Sequence, residues 1–156
     1  MKKTKYIAMS ILIIIFLSIP VLVLAKGYQN EKNGFRDLTW GTSFETVQNQ
    51  MALVEDFGLG KKYARKNDNL VIGDVRVKSI LYVFNENNRL YAVMIKPEDD
   101  SWRALKMALT YNFGKPTPDE WSYSWEGEYT NIIIWKKNHS VDFEATKKAM
   151  NMNNGL

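Results

Sequence analysis

Apolar residues recur with two different periods along this chain, and one long run shows no period at all. Ile7 to Leu24 is almost wholly apolar, interrupted by Ser10, Ser18 and Pro20. It follows the cationic Met1-Lys2-Lys3-Thr4-Lys5 and ends on Val23-Leu24-Ala25. That order predicts a secretory signal peptide over residues 1–25, cut after Ala25, with Pro20 breaking the apolar helix shortly before the cut. Left uncut, the same run of about 18 residues is an N-terminal membrane anchor at the lower edge of a bilayer span. Either outcome carries the rest of the chain out of the cytoplasm. It is then periplasmic or extracellular, or membrane-anchored by residues 7–25.

Two helices are predicted beyond that point. Thr42-Ser43-Phe44-Glu45 matches a capping box, and Phe44, Val47 and Met51 follow on one helical face. The second helix spans about Trp102 to Phe113. Asp99, Asp100 and Ser101 offer N-caps, Trp102, Leu105, Leu109 and Phe113 form the buried stripe, and Gly114 and Pro116 end it.

Alternation predicts strands elsewhere. Val75 to Phe84 is the clearest, with Val75, Val77, Leu81 and Val83 on one face and Arg76, Lys78, Ile80, Tyr82 and Phe84 on the other. Asn85-Glu86-Asn87-Asn88 turns the chain into a second strand, Arg89 to Lys96. Trp121–Trp125, Tyr129–Lys136 and Ser140–Phe143 follow as a meander, with a helical turn within Glu144–Met150. Leu53 to Asn69 gives no single reading. Tyr82-Val83-Phe84 and Tyr91–Lys96 reappear 41 residues later as Tyr123-Ser124-Trp125 and Ile132–Lys137, a weak internal repeat. The fold class expected is α+β. Its form is a two-layer sandwich, an antiparallel sheet with two helices on one face, built in one version as a tandem helix-plus-hairpin repeat. Residues 26–34 read as a flexible leader, 35–150 as a single domain and 151–156 as a polar tail.

Composition narrows the function classes. The chain of 156 residues has no cysteine and one histidine. Disulfides, cysteine zinc sites, thiol nucleophiles and a lipid-modified N-terminal cysteine are therefore excluded. The formal charge of +4 invites a nucleic-acid reading, but Lys2, Lys3 and Lys5 belong to the signal segment. The chain after Ala25 carries 18 bases and 17 acids, so no nucleic-acid partner is expected.

Catalytic chemistry finds little support. His139 lies in the turn Lys137-Asn138-His139-Ser140, and no Gly-x-Ser-x-Gly elbow is present. Glu126 and Glu128 flank Gly127 on a hairpin tip that has no walls to raise an acid's pKa. Glu98-Asp99-Asp100, Asn67-Asp68-Asn69 and Asn85–Asn88 lack the spacing of a calcium loop. Gly58-Leu59-Gly60-Lys61-Lys62 lacks the spacing and the hydroxyl residue of a phosphate loop. No catalytic residue, cofactor or metal is expected.

Two clusters point to binding instead. Lys61, Lys62, Arg65 and Lys66 surround Tyr63 as a cationic patch suited to anionic lipid, anionic envelope polymers or acidic protein faces. Tyr123, Trp125, Ile133 and Trp135 form an aromatic sheet face if Ile132 and Ile134 turn toward the helices.

The segment Leu38-Thr39-Trp40-Gly41-Thr42-Ser43-Phe44-Glu45-Thr46-Val47 resembles small exported bacterial domains with a Trp-Gly-Thr-Ser helix start. It is also similar to the helix start of BamE/SmpA-like outer-membrane lipoproteins and of the β-lactamase-inhibitor-protein fold. Leu105, Leu109, Gly114-Lys115-Pro116 and Trp121-Ser122-Tyr123-Ser124-Trp125 match the helix and aromatic strand that follow in those domains. The anchoring cysteine of the lipoproteins is missing, so lipid attachment is not implied. The resemblance implies a non-catalytic envelope protein that binds other proteins. The expected function is thus an exported protein-interaction module of the bacterial cell envelope. The alternative is a module binding cell-wall glycan or peptide through exposed aromatics. A membrane enters only through the N-terminal segment if that is uncut, and the sequence leaves the oligomeric state open.

Overall fold

The computed structural model describes residues 27–152. The expected signal segment, residues 1–25, lies outside the described residues, as does the tail from residue 153 on. The described chain is α+β and mostly strand. β1 (Gly34–Phe35) and β2 (Leu38–Thr39) make a small hairpin. Helix α1 (Phe44–Val47) runs into a 3-10 turn, Gln48–Gln50. Strands β3 (Met51–Asp56), β4 (Gly60–Arg65), β5 (Val71–Ile72), β6 (Val75–Asn85) and β7 (Leu90–Pro97) follow. After helix α2 (Trp102–Phe113) come β8 (Thr117–Pro118), β9 (Ser122–Trp125), β10 (Thr130–Trp135), β11 (Val141–Ala145) and helix α3 (Lys147–Met152). The large sheet has the order β3-β4-β6-β7-β11-β10-β9-β8, with β5 paired to the start of β6. All of its pairings are antiparallel.

Register places the core. One row of partners crosses six strands as Tyr63, Tyr82, Val93, Phe143, Ile132 and Trp125. A second runs Ile80, Ile95, Val141, Ile134 and Tyr123. These side chains join one buried cluster with Phe35, Leu38 and Trp40 of the entry segment, Val47 of α1, Leu105 and Leu109 of α2, and Ala149 of α3. Burial of this apolar surface is the main drive for folding in a chain with no covalent staple.

Strand β6 departs from its simple alternation. Val77 lies in the core together with Ile80, Tyr82 and Phe84, while Leu81 and Val83 point the other way. The register shifts between Val77 and Ser79, and this bulge switches the face of every residue after it. A second shift, between Val83 and Phe84, puts Tyr91 at the bulge opposite.

Helix α2 forms where its periodicity predicts, and Gly114 ends it with a positive φ of 86°. Its N-cap side chain does not cap: the Ser101 hydroxyl donates to the Glu98 carbonyl. The first helix is far shorter than expected, and the capping box does not form. The Thr42 hydroxyl donates back to the Thr39 carbonyl, and Ser43 Oγ pairs directly with the Glu45 carboxylate. Met51, expected at the helix end, starts β3 instead, because the chain through Asp56 is taken up by pairing with β4.

The two hairpins of the apparent repeat share their pairs. Tyr82 faces Val93 as Tyr123 faces Ile134, and Val83 faces Ala92 as Ser124 faces Ile133. They are nevertheless wound with opposite hand. Strand β11 lies between β7 and β10, so each hairpin turns its second strand inward although both point the same residues at the core. Alternation explains their likeness.

The stretch expected as a flexible leader is held in place from Tyr28 onward. The Tyr28 ring meets Phe113 edge-on at 5.4 Å. The Glu31 carboxylate accepts the Thr130 amide at 3.0 Å and also the Tyr129 amide, which clamps the start of β10. Burial, with the Glu31 charge adding to it, pushes the Tyr28 phenol well above its ordinary range. Glu31→Ala is expected to cost about 1–3 kcal/mol by leaving two amides without an acceptor. Hydrogen exchange at Tyr129 and Thr130 checks this, since both amides should lose protection.

Candidate binding surface

Alternation that sends one set of residues to the core sends the other set outward. On this outer side, partner positions read Lys62, Val83, Ala92, Glu144 and Asn131. The next row reads Ala64, Leu81, Met94, Asp142, Ile133 and Ser124, and Trp135 lies opposite Ser122. Leu81, Met94 and Ile133 are only partly buried, and Trp135 is 38% exposed. Val47 of α1, Leu105 and Leu109 of α2 and Ala149 of α3 join the cluster on the other side.

Asp142 is the unusual group of this surface. It is only 8% exposed although it faces away from the core. Its Oδ2 accepts the Trp135 indole N–H at 2.6 Å, and its Oδ1 is buried with no partner among the described residues. Desolvation raises the Asp142 pKa, opposed by the Trp135 bond and the Lys62 charge. Burial also raises Glu144, and the neighbouring Asp142 charge adds to it. A carboxyl whose pKa is higher folded than unfolded binds its proton more readily in the folded state. Its contribution to stability therefore improves as pH falls from neutral toward the ordinary aspartate value. Asp142→Asn is expected to raise the melting temperature at pH 7, with the advantage shrinking as pH is lowered. Thermal denaturation of both proteins over that range decides it.

The expected aromatic face divides in two. Ile133 and Trp135 lie on the outer side, but Tyr123 and Trp125 do not join them. Trp125 faces Ile132 and is buried, its indole N–H donating to the Gly114 carbonyl at 2.8 Å. Tyr123 faces Ile134, with the ammonium groups of Lys106 and Lys136 at 3.3 and 4.8 Å from its ring centroid. The hairpin loop sets this register, and a shift of one residue would exchange the faces.

Ser122 and Ser124 take the outward places instead. With Asp119, Trp121, Glu126, Asn131, Ile133 and Trp135 they line a groove of about 540 Å³, which Trp125, only 3% exposed, also borders. Trp121 is 67% exposed, and its amide is held by the Asp119 carboxylate at 2.6 Å. Sequence reasoning places Asn131 beside Ile133 and Trp135 but misses Asp142 and Trp121 as surface residues of this site. In Val141-Asp142-Phe143-Glu144 the acids read as ordinary solvent-facing alternates, and only the neighbouring strands bury one of them.

The cationic cluster is spread out and largely paired. Lys62 meets Glu55 at 2.8 Å and Lys61 meets Asp56 at 3.6 Å across the β3–β4 hairpin. Arg65 holds Asp37 at 2.6 Å and Gln50 at 2.7 Å, and this bond draws the Asp37 carboxyl below its ordinary value. Lys66 donates to the Asn49 carbonyl at 3.1 Å. Alternation along β4 also sends Lys62 to one side and Lys61 and Arg65 to the other, and Lys66 lies beyond its end.

His139 stacks flat on Trp102, with ring centroids 4.4 Å apart, and has a positive φ of 57°. Ser140 Oγ lies 2.9 Å from Asn138 Oδ1, so the two sequence neighbours do not pair. Glu128 bonds Lys148. Among the described residues no group of three His, Asp or Glu side chains gathers to hold a metal ion. No protein-family model, curated protein or solved structure matches this chain.

Proposed function

We propose that this chain is an exported, non-catalytic interaction module of the bacterial cell envelope. It binds another protein through the Trp135 side of its sheet, with the helices forming a second layer behind the core. The reading agrees with the resemblance to BamE/SmpA-like and β-lactamase-inhibitor-protein-like domains. The observation that carries it is the row Leu81, Met94, Asp142 and Ile133 beside Trp135. Apolar side chains there surround a carboxylate oxygen that lacks a donor, and a partner supplying an N–H or ammonium group meets both needs.

A second reading rests on the groove between Trp121 and Trp135. Two indoles flanking Ser122, Ser124, Asn131 and Glu126 offer stacking surfaces and hydrogen-bonding groups to a cell-wall glycan or peptide.

The test is a photo-reactive amino acid at Ile133 or Ser124, with a control at Gln48, in the full chain expressed in its own envelope. An adduct with one protein from positions 133 and 124, absent from position 48, supports the first reading. An adduct with glycan strands supports the second, and equal labelling at all three positions defeats both. Ile133→Lys is expected to lower partner recovery at least about tenfold while the circular dichroism spectrum is unchanged, since a charge placed in an apolar contact costs more than ~1.4 kcal/mol.

A further inference from the structure

A surface helix ordinarily turns its polar stripe outward. Helix α2 does not. Leu105 and Leu109 enter the core, and the outward stripe is Arg103, Met107 and Tyr111, one turn apart each. Met107 is 73% exposed and Tyr111 is 87% exposed. Trp102, Arg103, Lys106, Met107, Thr110 and Tyr111 line a shallow depression on this face. The helix carries Arg103 and Lys106 and no acid; exposed Lys115 follows its end, and the exposed acids Glu98, Asp99 and Asp100 precede its first turn, at the end away from Tyr111.

The same helix receives the N-terminal end of the described chain. Gln29 Nε2 donates to the Tyr111 carbonyl at 3.0 Å and to the Asn112 carbonyl at 3.2 Å. Asn30 Nδ2 donates to the Asn112 carbonyl at 2.7 Å, and Tyr28 packs on Phe113. The apolar run ends at Leu24, so the chain linking it to Tyr28 spans no more than about 14 Å. In the chain that retains residues 1–26, a membrane-inserted apolar run therefore brings the last turn of α2 to the lipid surface.

We infer that the outer face of α2 rests on an anionic lipid surface. Tyr111, Met107 and Trp102 enter the interfacial layer, and Arg103, Lys106 and Lys115 meet the headgroups. No described helix is long and apolar enough to cross a membrane. The arrangement turns the Trp135 side of the sheet away from the lipid. The inference does not rest on the sheet reading.

The absence of cysteine makes the test direct. Single substitutions Met107→Cys, Tyr111→Cys and, as a control, Leu59→Cys each take a nitroxide label in the full chain. The proteins are reconstituted in phosphatidylcholine vesicles with or without roughly one quarter phosphatidylglycerol. The expected result is loss of access to a soluble nickel chelate and gain of access to oxygen at positions 107 and 111, strongest with phosphatidylglycerol, while position 59 stays open. Equal nickel access at all three positions overturns the lipid contact. Arg103→Glu beside the Met107 label should restore nickel access in the anionic vesicles, and no change there overturns the role of the bases. Crosslinking from position 133 is read separately, so failure here leaves the sheet reading intact.

Discussion

Replacing Trp40 by alanine should remove a large share of the stability, about 3–5 kcal/mol. Trp40 is fully buried, and its indole N–H donates to Thr130 Oγ1 at 2.7 Å. The same hydroxyl donates to the Lys32 carbonyl at 2.5 Å. One side chain thus joins the entry segment, the core and the start of β10. Alanine leaves a large cavity and an unfilled acceptor together, and the rigid sheet behind it cannot close the space. A typical domain has only ~5–15 kcal/mol in hand, so the variant should melt well over ~10 °C lower. Trp40→Phe keeps the ring and loses the bond, and should fall between the two. Chemical denaturation of the three proteins checks the order. A Trp40→Ala protein as stable as the parent would mean that the entry segment is not part of the core.

Gly34→Ala should cost about as much for a different reason. Gly34 has a φ of 149°, which L side chains rarely adopt. A Cβ there would lie 2.1 Å from the Leu38 carbonyl oxygen and 2.7 Å from the Thr39 Cα. Both are backbone atoms of the facing strand, so no rotamer change relieves the contact. The β1–β2 hairpin must open, and with it go Phe35 and Leu38, which it delivers to the core. A loss of ~2–4 kcal/mol is expected. Gly58→Ala is the comparison: its φ is also positive, at 83°, but nothing lies near the added carbon. It should cost only ~1 kcal/mol, the backbone part alone. Thermal melting of the pair separates collision from conformational strain.

These elements were unequally visible in the sequence. Helix α2 and strands β6, β7, β9 and β10 carry enough periods for the alternation or the helical stripe to stand out. Strands β1, β2, β5 and β8 have two residues each, too few for any period. Phe44, Val47 and Met51 do face the core, but their spacing suits a short helical turn as well as a long helix. What decided between them was the pairing of β3 with β4, a contact that local spacing does not encode. The faces failed at two places for one reason. Period two gives two sets of residues, and a bulge at Lys78 or a loop of a given length chooses between them. The pairing of the basic cluster was not legible because Glu55, Asp56 and Asp37, which meet Lys62, Lys61 and Arg65, lie outside the run itself.

Strand β11 is the last strand made and occupies the middle of the sheet, between β7 and β10. A ribosome that has released only residues 1–140 has made both hairpins and no means of joining them. The row from Val93 to Ile132 has a gap where Phe143 belongs. The two halves of the sheet therefore stay unjoined until Val141–Ala145 is free to pair with both.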